Sequence, residues 1–183
     1  MLFTLITHQP QALAAIVQQT PTWVWGLLAA LVALGASQLR QREASAARVA
    51  VMPVAMAGLS AYGLLSGFGA AGQAAGLFAA WLAAAALVAL ACLALAPRPP
   101  EGAHYDAAAR RFHLPGSAVP LALTLGIFFT KYLVGVELAL QPALAHDMGL
   151  ALAIAVLYGL FNGVFAARAL RLWRLPARTA IAA

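Results

Sequence analysis

Five long apolar stretches dominate the chain, at 22–39, 49–69, 74–96, 118–140 and 149–171, and short polar segments rich in arginine or proline separate several of them. Each stretch reaches or approaches the roughly 20 residues needed to cross a hydrocarbon layer about 30 Å thick, and none keeps the two-residue alternation of a half-buried strand. The pattern predicts an all-α integral membrane protein, a bundle of five transmembrane helices. The opening segment is different. Pro10 and Pro21 interrupt it, and residues 11–19 put Leu13, Ile16 and Val17 on one face with Gln11, Gln18 and Gln19 elsewhere. That spacing predicts a short N-terminal helix lying at the membrane interface. Lacking a basic leading region, the segment reads poorly as a cleavable signal peptide and is expected to be retained. The expected organisation is an interfacial segment at 1–21, a five-helix domain at 22–174 and a tail at 175–183.

One sizeable polar loop remains, "PRPPEGAHYDAAARRFHLPGSAVP" at 97–120. The runs "HYD" and "RFHL" flank a polar turn and predict a short β-hairpin. Ser117 is placed to cap the fourth helix, with Pro120 in its first turn.

Composition removes most alternatives. Of 183 residues, 64% are hydrophobic and 9% charged, and the mean hydropathy is +0.88, outside the balance of a soluble domain. A net charge of +6 could point to nucleic acid, but the arginines fall only in the segments between apolar runs and at the end of the last run. Arg40, Arg42 and Arg48 follow the first run, Arg98, Arg110 and Arg111 the third, and Arg168, Arg171, Arg174 and Arg178 close the fifth. The N-terminal segment and the loops at 70–73 and 141–148 contain none. Basic residues favour the cytoplasmic side, so the N-terminus is expected outside and the C-terminus inside, with no nucleic-acid partner. Trp23, Trp25 and Trp173 fall at run ends, where amphipathic rings anchor a protein at the headgroup level. Cys92 is the single cysteine, which excludes an intrachain disulfide and a Cys-x-x-Cys redox pair.

Chemistry concentrates in "GIFFTKYLVGVELAL" at 126–140, where Lys131 and Glu137 interrupt an apolar run. A charge at membrane depth costs a few kcal/mol even on lenient scales, so partners are expected. Lys131 and Glu137 are separated by about 120° around the helix and about 9 Å along it, too far to pair directly. Counting the neighbouring spans to the depth of Lys131 reaches Tyr62, Trp81 and Tyr158, with Tyr132 adjacent and Ser66 and Asn162 as further polar groups. The specific expectation is that Lys131 lies within hydrogen-bond reach of a tyrosine, Tyr62 or Tyr158 above all, or of a bound acidic ligand. The candidate ligand-binding set is therefore Lys131, Tyr132, Tyr62, Tyr158, Trp81, Asn162 and Glu137, with no catalytic residue, cofactor or metal assigned. Two looser groups could hold a metal or proton: His104, Asp106 and His113 in the polar loop, and His8, Glu137, His146 and Asp147 at the other end. Neither matches an established ligand spacing.

"GLLSG" at 63–67 and "GLFNG" at 159–163 share a spacing that lets helix backbones approach closely. Ordinary packing within one chain accounts for it; a homodimer seam is the alternative. Arg168, Arg171, Arg174 and Arg178 continue one face of the last helix and suit anionic lipid headgroups.

The segments "TPTWVWGLL" (20–28), "YDAAARRFHLPGSAVPLAL" (105–123), "KYLVGV" (131–136) and "LYGLFNGVFAARALRLWR" (157–174) together resemble a family of small bacterial inner-membrane proteins of unknown function. More distantly, the topology is similar to that of CcdC-type accessory proteins of cytochrome c maturation. The resemblance implies a multi-pass inner-membrane location and marks Tyr105, Asp106, Arg111, Lys131, Tyr132 and Tyr158 as family-type positions. It implies no reaction. The leading expectation is a protein that binds or moves a small ligand or proton through a polar pocket around Lys131. The alternative is a structural or accessory protein that recruits a partner, its polar layer serving helix packing. An enzyme ranks third, because no motif pairs a nucleophile or metal with a base.

Overall fold

The computed structural model describes residues 16–68 and 74–181, with the side chains of Ala46, Met52 and 176–181 left aside. The helices are α1 (Thr22–Ala36), α2 (Ala46–Phe68), α3 (Ala74–Leu95), α4 (Val119–Leu140) and α5 (Met148–Ile181), and the strands are β1 (Arg42–Ser45), β2 (His104–Asp106) and β3 (Arg111–Leu114). Five helical segments are long and apolar enough to cross a membrane: Thr22–Leu39, Ala47–Phe68, Ala74–Leu95, Val119–Leu140 and Met148–Leu175. Their bounds follow the five apolar runs closely, because hydrophobic length sets them. Of the N-terminal helix expected at 11–19, residues 16–19 are helical and the remainder lies outside the described residues.

α5 is the central element. It packs along α3 and against α2, while α1 lies mainly on α4. Two glycines set the α3–α5 distance: a Cβ at Gly159 would sit 2.5 Å from the Trp81 carbonyl oxygen, and one at Gly163 would sit 2.6 Å from that of Ala85. The "GLFNG" motif therefore works within the chain. Leu64, Phe68, Leu77, Ala151, Ile154, Ala155 and Tyr158 form one buried cluster between α2, α3 and α5. Met56, Ile127 and Phe165 form a second that ties α4 to α2 and α5.

The hairpin expected at 104–114 is present, with His104 opposite His113 and Asp106 opposite Arg111. It is corrected in one respect. The linker after α1 supplies β1, which pairs with β3 to give a three-stranded antiparallel sheet in the order β1-β3-β2. A two-stranded hairpin is marginal in water, and the third strand lets Ala44, Phe112 and Leu114 bury together against Leu172 of α5. This pairing also holds the 40–45 and 97–118 segments at one end of the bundle, with Arg168 and Arg171 of α5. The turn closes on Asp106, whose Oδ1 accepts the amides of Ala108 at 2.8 Å and Ala109 at 3.0 Å.

α4 begins beside a tight crossing. Ser117 donates its amide to the Gln38 carbonyl at 2.9 Å, and a Cβ at Gly116 would collide with the Leu39 carbonyl oxygen. Ser117 Oγ accepts the Val119 amide at 3.3 Å, but the N-cap position itself is taken by Ala118, one residue later than expected. At the other end of the bundle Asp147 caps α5, accepting the amides of Gly149 at 2.8 Å and Leu150 at 3.1 Å.

Candidate functional site

Because α1 rests on α4 and α2 rests on α5, the bundle is split. Between α1, α2 and α4 lies a cleft of about 720 Å³, floored in part by Tyr158 of α5 and walled largely by apolar side chains such as Leu27, Leu31, Leu59, Ile127 and Val134. The uniformly apolar helices explain why periodicity alone does not reveal it. Ile16, Gln19, Thr20 and Leu140 mark its end nearest the start of α1; Met56 and Thr124 lie deep inside.

Lys131 stands on the α4 wall. Its Nζ donates to the backbone carbonyl of Leu59 at 2.9 Å and lies 4.5 Å from the centroid of the Tyr158 ring. The carbonyl is reachable for a local reason. In a helix the side chain four residues on covers a carbonyl's outer face; here that residue is Gly63, and a Cβ there would occupy the position of Nζ. Gly67, one turn further, meets only Leu138 Cδ1 at 3.4 Å. The glycine of "GLLSG" thus admits an ammonium group, whereas those of "GLFNG" admit a neighbouring helix.

Among the described residues the expected hydrogen bond from Lys131 to a tyrosine hydroxyl is not formed; the Leu59 carbonyl is its partner instead. Tyr158 is buried and offers its ring face, a cation–π geometry, while the carbonyl of Leu59 takes the hydrogen bond. Tyr62 lines the cleft and is 70% exposed. Tyr132 also lines it: its hydroxyl is 2.7 Å from Thr20 Oγ1, which itself donates to the Ile16 carbonyl, so Tyr132 donates in this pair. Its ring packs against Trp25 and Phe128. Four of the seven candidates, Lys131, Tyr132, Tyr62 and Tyr158, therefore share the cleft.

The other three stand apart. Trp81 packs on the α2–α3–α5 cluster with its indole N–H buried and unpartnered. Asn162 is buried between α2 and α5, donating to Ser60 Oγ at 2.8 Å and to the Tyr158 carbonyl at 2.7 Å. Glu137 is half-buried outside the cleft lining, and no carboxylate reaches Lys131 among the described residues. Sequence reasoning missed Leu59, whose contribution is a backbone atom, and Thr124, whose hydroxyl is buried at the deep end of the cleft without a partner. Thr124 lies seven residues before Lys131, two turns along the same face of α4.

The looser groups do not assemble as ligand sets among the described residues. The His104 and His113 rings stack with centroids 4.4 Å apart, but Asp106 is turned to the amides of its own loop; those bonds hold its carboxyl below the usual range. Asp147 is occupied as a helix cap, and His8 lies outside the described residues. Of the four arginines closing the chain, Arg168 donates to Ser117 Oγ at 3.2 Å and Arg171 to the Cys92 carbonyl at 2.5 Å, where it caps the end of α3. Arg174 is exposed, and the Arg178 side chain is outside the description.

A helical chain with five segments able to cross a membrane, holding a lysine-bearing apolar cleft, has the features of a multi-pass membrane protein. By sequence it belongs to a family of unknown function, DUF6622, which matches residues 1–183. No curated protein and no solved structure matches the chain, so the distant likeness to CcdC-type proteins gains no support.

Proposed function

We propose that this protein spans the bacterial inner membrane five times, with its N-terminus in the periplasm and its C-terminus in the cytoplasm. Its cleft binds an amphipathic ligand with an anionic head. The carrying observation is the Lys131 amine, which no carboxylate reaches among the described residues, on the wall of a mainly apolar cleft of about 720 Å³. That volume lies within the usual range of ligand sites, roughly 300–1,000 Å³. An ammonium group has three donors. The Leu59 carbonyl and the Tyr158 ring engage two, which leaves one for a carboxylate or phosphate head, while the ligand's chain lies along the leucines and Ile127. In apolar surroundings such a charge-assisted bond is stronger than in water, and the ligand's anion offsets the cost of the buried cation. On this reading the ligand enters sideways from the lipid. With no nucleophile–base pair in the cleft, the reading is binding or passage and not catalysis.

Binding of palmitate and of its methyl ester, in phosphatidylcholine nanodiscs, tests this. The expected result is at least a tenfold preference for the carboxylate, equivalent to about 1.4 kcal/mol, lost in Lys131→Met. Equal binding of acid and ester by the parent protein contradicts it.

One observation favours a second reading. The Lys131–Leu59 bond already ties α4 to α2, which would suit a structural or accessory protein whose polar groups fix helix register. On that reading Lys131→Met lowers the melting temperature and leaves amphiphile binding unchanged.

A further inference from the structure

At the sheet end of the bundle, away from the Lys131 cleft, three arginines from three separate elements converge on one small cavity. Arg42 of β1, Arg48 of α2 and Arg168 of α5 line a space of about 50 Å³, together with Gln38. One water needs roughly 10–15 Å³, so the space admits a few waters or one tetrahedral oxyanion. Like charges brought together repel, and nothing acidic relieves them. The only ion pairs among the described residues belong to Glu43, which turns to Arg111 at 3.0 Å and His113 at 3.8 Å.

The arrangement is held from behind. Arg42 Nη2 donates to the buried Gln38 Oε1 at 2.9 Å, and Arg168 Nη1 donates to Ser117 Oγ at 3.2 Å. Gln38 and Ser117 are themselves joined by the backbone bond at the Gly116 crossing. Pro53, also in the lining, has no amide to give the Val49 carbonyl, so the helix backbone beside the cavity is itself incompletely paired. Burial and the nearby Arg48 hold the Arg42 guanidinium below its ordinary value.

We propose that Arg42, Arg48 and Arg168 form a binding site for a single phosphate group. Guanidinium groups bind phosphate oxygens through paired N–H donors. The bound phosphate neutralises the repulsion, so occupancy stabilises the junction between the sheet and α2 and α5. The phosphate is a free oxyanion from the aqueous side or the headgroup of an anionic lipid; both present the same oxygens to the same donors.

Thermal unfolding in nanodiscs separates the sources. In one arm inorganic phosphate is titrated at constant ionic strength into protein in pure phosphatidylcholine discs; in the other, phosphatidylglycerol replaces part of the phosphatidylcholine with no phosphate present. A rise in melting temperature in the first arm identifies a free oxyanion, and a rise in the second alone identifies a headgroup. In either case Arg42→Gln and Arg48→Gln should each weaken the apparent affinity at least tenfold, while Arg98→Gln, a charge removed from the loop, leaves it unchanged. Arg48 is exposed and its replacement spares the packing. No stabilisation by either probe overturns the proposal. So does stabilisation that Arg42→Gln and Arg48→Gln reduce no more than Arg98→Gln does.

Discussion

At the scale of single residues, the four glycines with identical sequence spacing do different work, and their alanine variants should separate accordingly. At Gly159 an added methyl meets the Trp81 carbonyl at 2.5 Å and Ala84 Cβ at 2.7 Å, neither of which can swing aside. Overpacking of this kind costs about 1–3 kcal/mol, more than the 0.5–1 kcal/mol or so that alanine gains over glycine within a helix. Gly159→Ala should therefore lower the melting temperature in detergent. At Gly63 the methyl meets the tip of a flexible lysine, and retraction of Nζ relieves it. Gly63→Ala should leave the melting temperature within a degree or two of the parent and abolish the preference for palmitate over its methyl ester. Loss of stability at Gly63 with binding intact contradicts this assignment. The same residues show how far the site was legible. The meeting of Lys131 with Tyr158 follows from counting depth along antiparallel helices. The Leu59 carbonyl does not, because a backbone acceptor is common to every residue and only its missing cover at Gly63 distinguishes it. Depth counting also cannot say which face a side chain takes, and so it drew in Trp81, which packs on the α2–α3–α5 cluster, and Asn162, which points into the α2–α5 seam.

At the scale of elements, the helices were legible and the sheet only in part. Hydrophobic length sets the membrane-crossing parts of α1 to α5, although α5 continues past its apolar run to Ile181, and the "HYD" and "RFHL" runs set β2 and β3. β1 was not legible because "REAS" alternates weakly and contains no β-branched residue; it is a strand through its partner β3. The sheet hangs on Phe112, which is 1% exposed against Ala44, Leu114 and Leu172. Phe112→Ala, at about 3–5 kcal/mol for a buried phenylalanine, should expose the 96–118 segment to protease while the helical circular dichroism persists. Glu43→Gln should change stability by less than about 1 kcal/mol, since its pair with Arg111 is half-exposed on both sides. The Asp106 turn has its own pH dependence. Its pKa is depressed by the amides of Ala109 and Ala108, so its contribution is fully present above the ordinary aspartate value near 4 and is lost as pH falls through the lower folded value. Exchange protection at those two amides should fall over that range and should be absent at neutral pH in Asp106→Ala, where no carboxylate accepts. Protection unchanged in Asp106→Ala removes the turn from this account.

At the scale of the whole molecule, the sheet fixes one relation that charge alone suggested: the segments bearing Arg42, Arg98, Arg110 and Arg111 share an end with Arg168 and Arg171. The proposed orientation in the membrane rests on that clustering. A reporter fused after Ala183 should read as cytoplasmic, and a thiol introduced within 143–146 should react with an impermeant reagent only from the periplasm; labelling from the cytoplasmic side reverses the arrangement. The cleft is a property of the assembled bundle, invisible in sequence because α1, α2 and α4 carry apolar residues on most of their faces, so nothing in the pattern says which seam stays open. Its occupancy is also the central claim. The most direct measurement is photolabelling with a diazirine-bearing palmitate in phosphatidylcholine nanodiscs, with the modified positions located by mass spectrometry. Adducts are predicted on cleft walls from three helices, at Leu27, Leu59 and Val134, competed by unlabelled palmitate and lost in Lys131→Met. Adducts spread over the outward face of α3, at Leu87 and Leu90, with no competition and no dependence on Lys131, would contradict it.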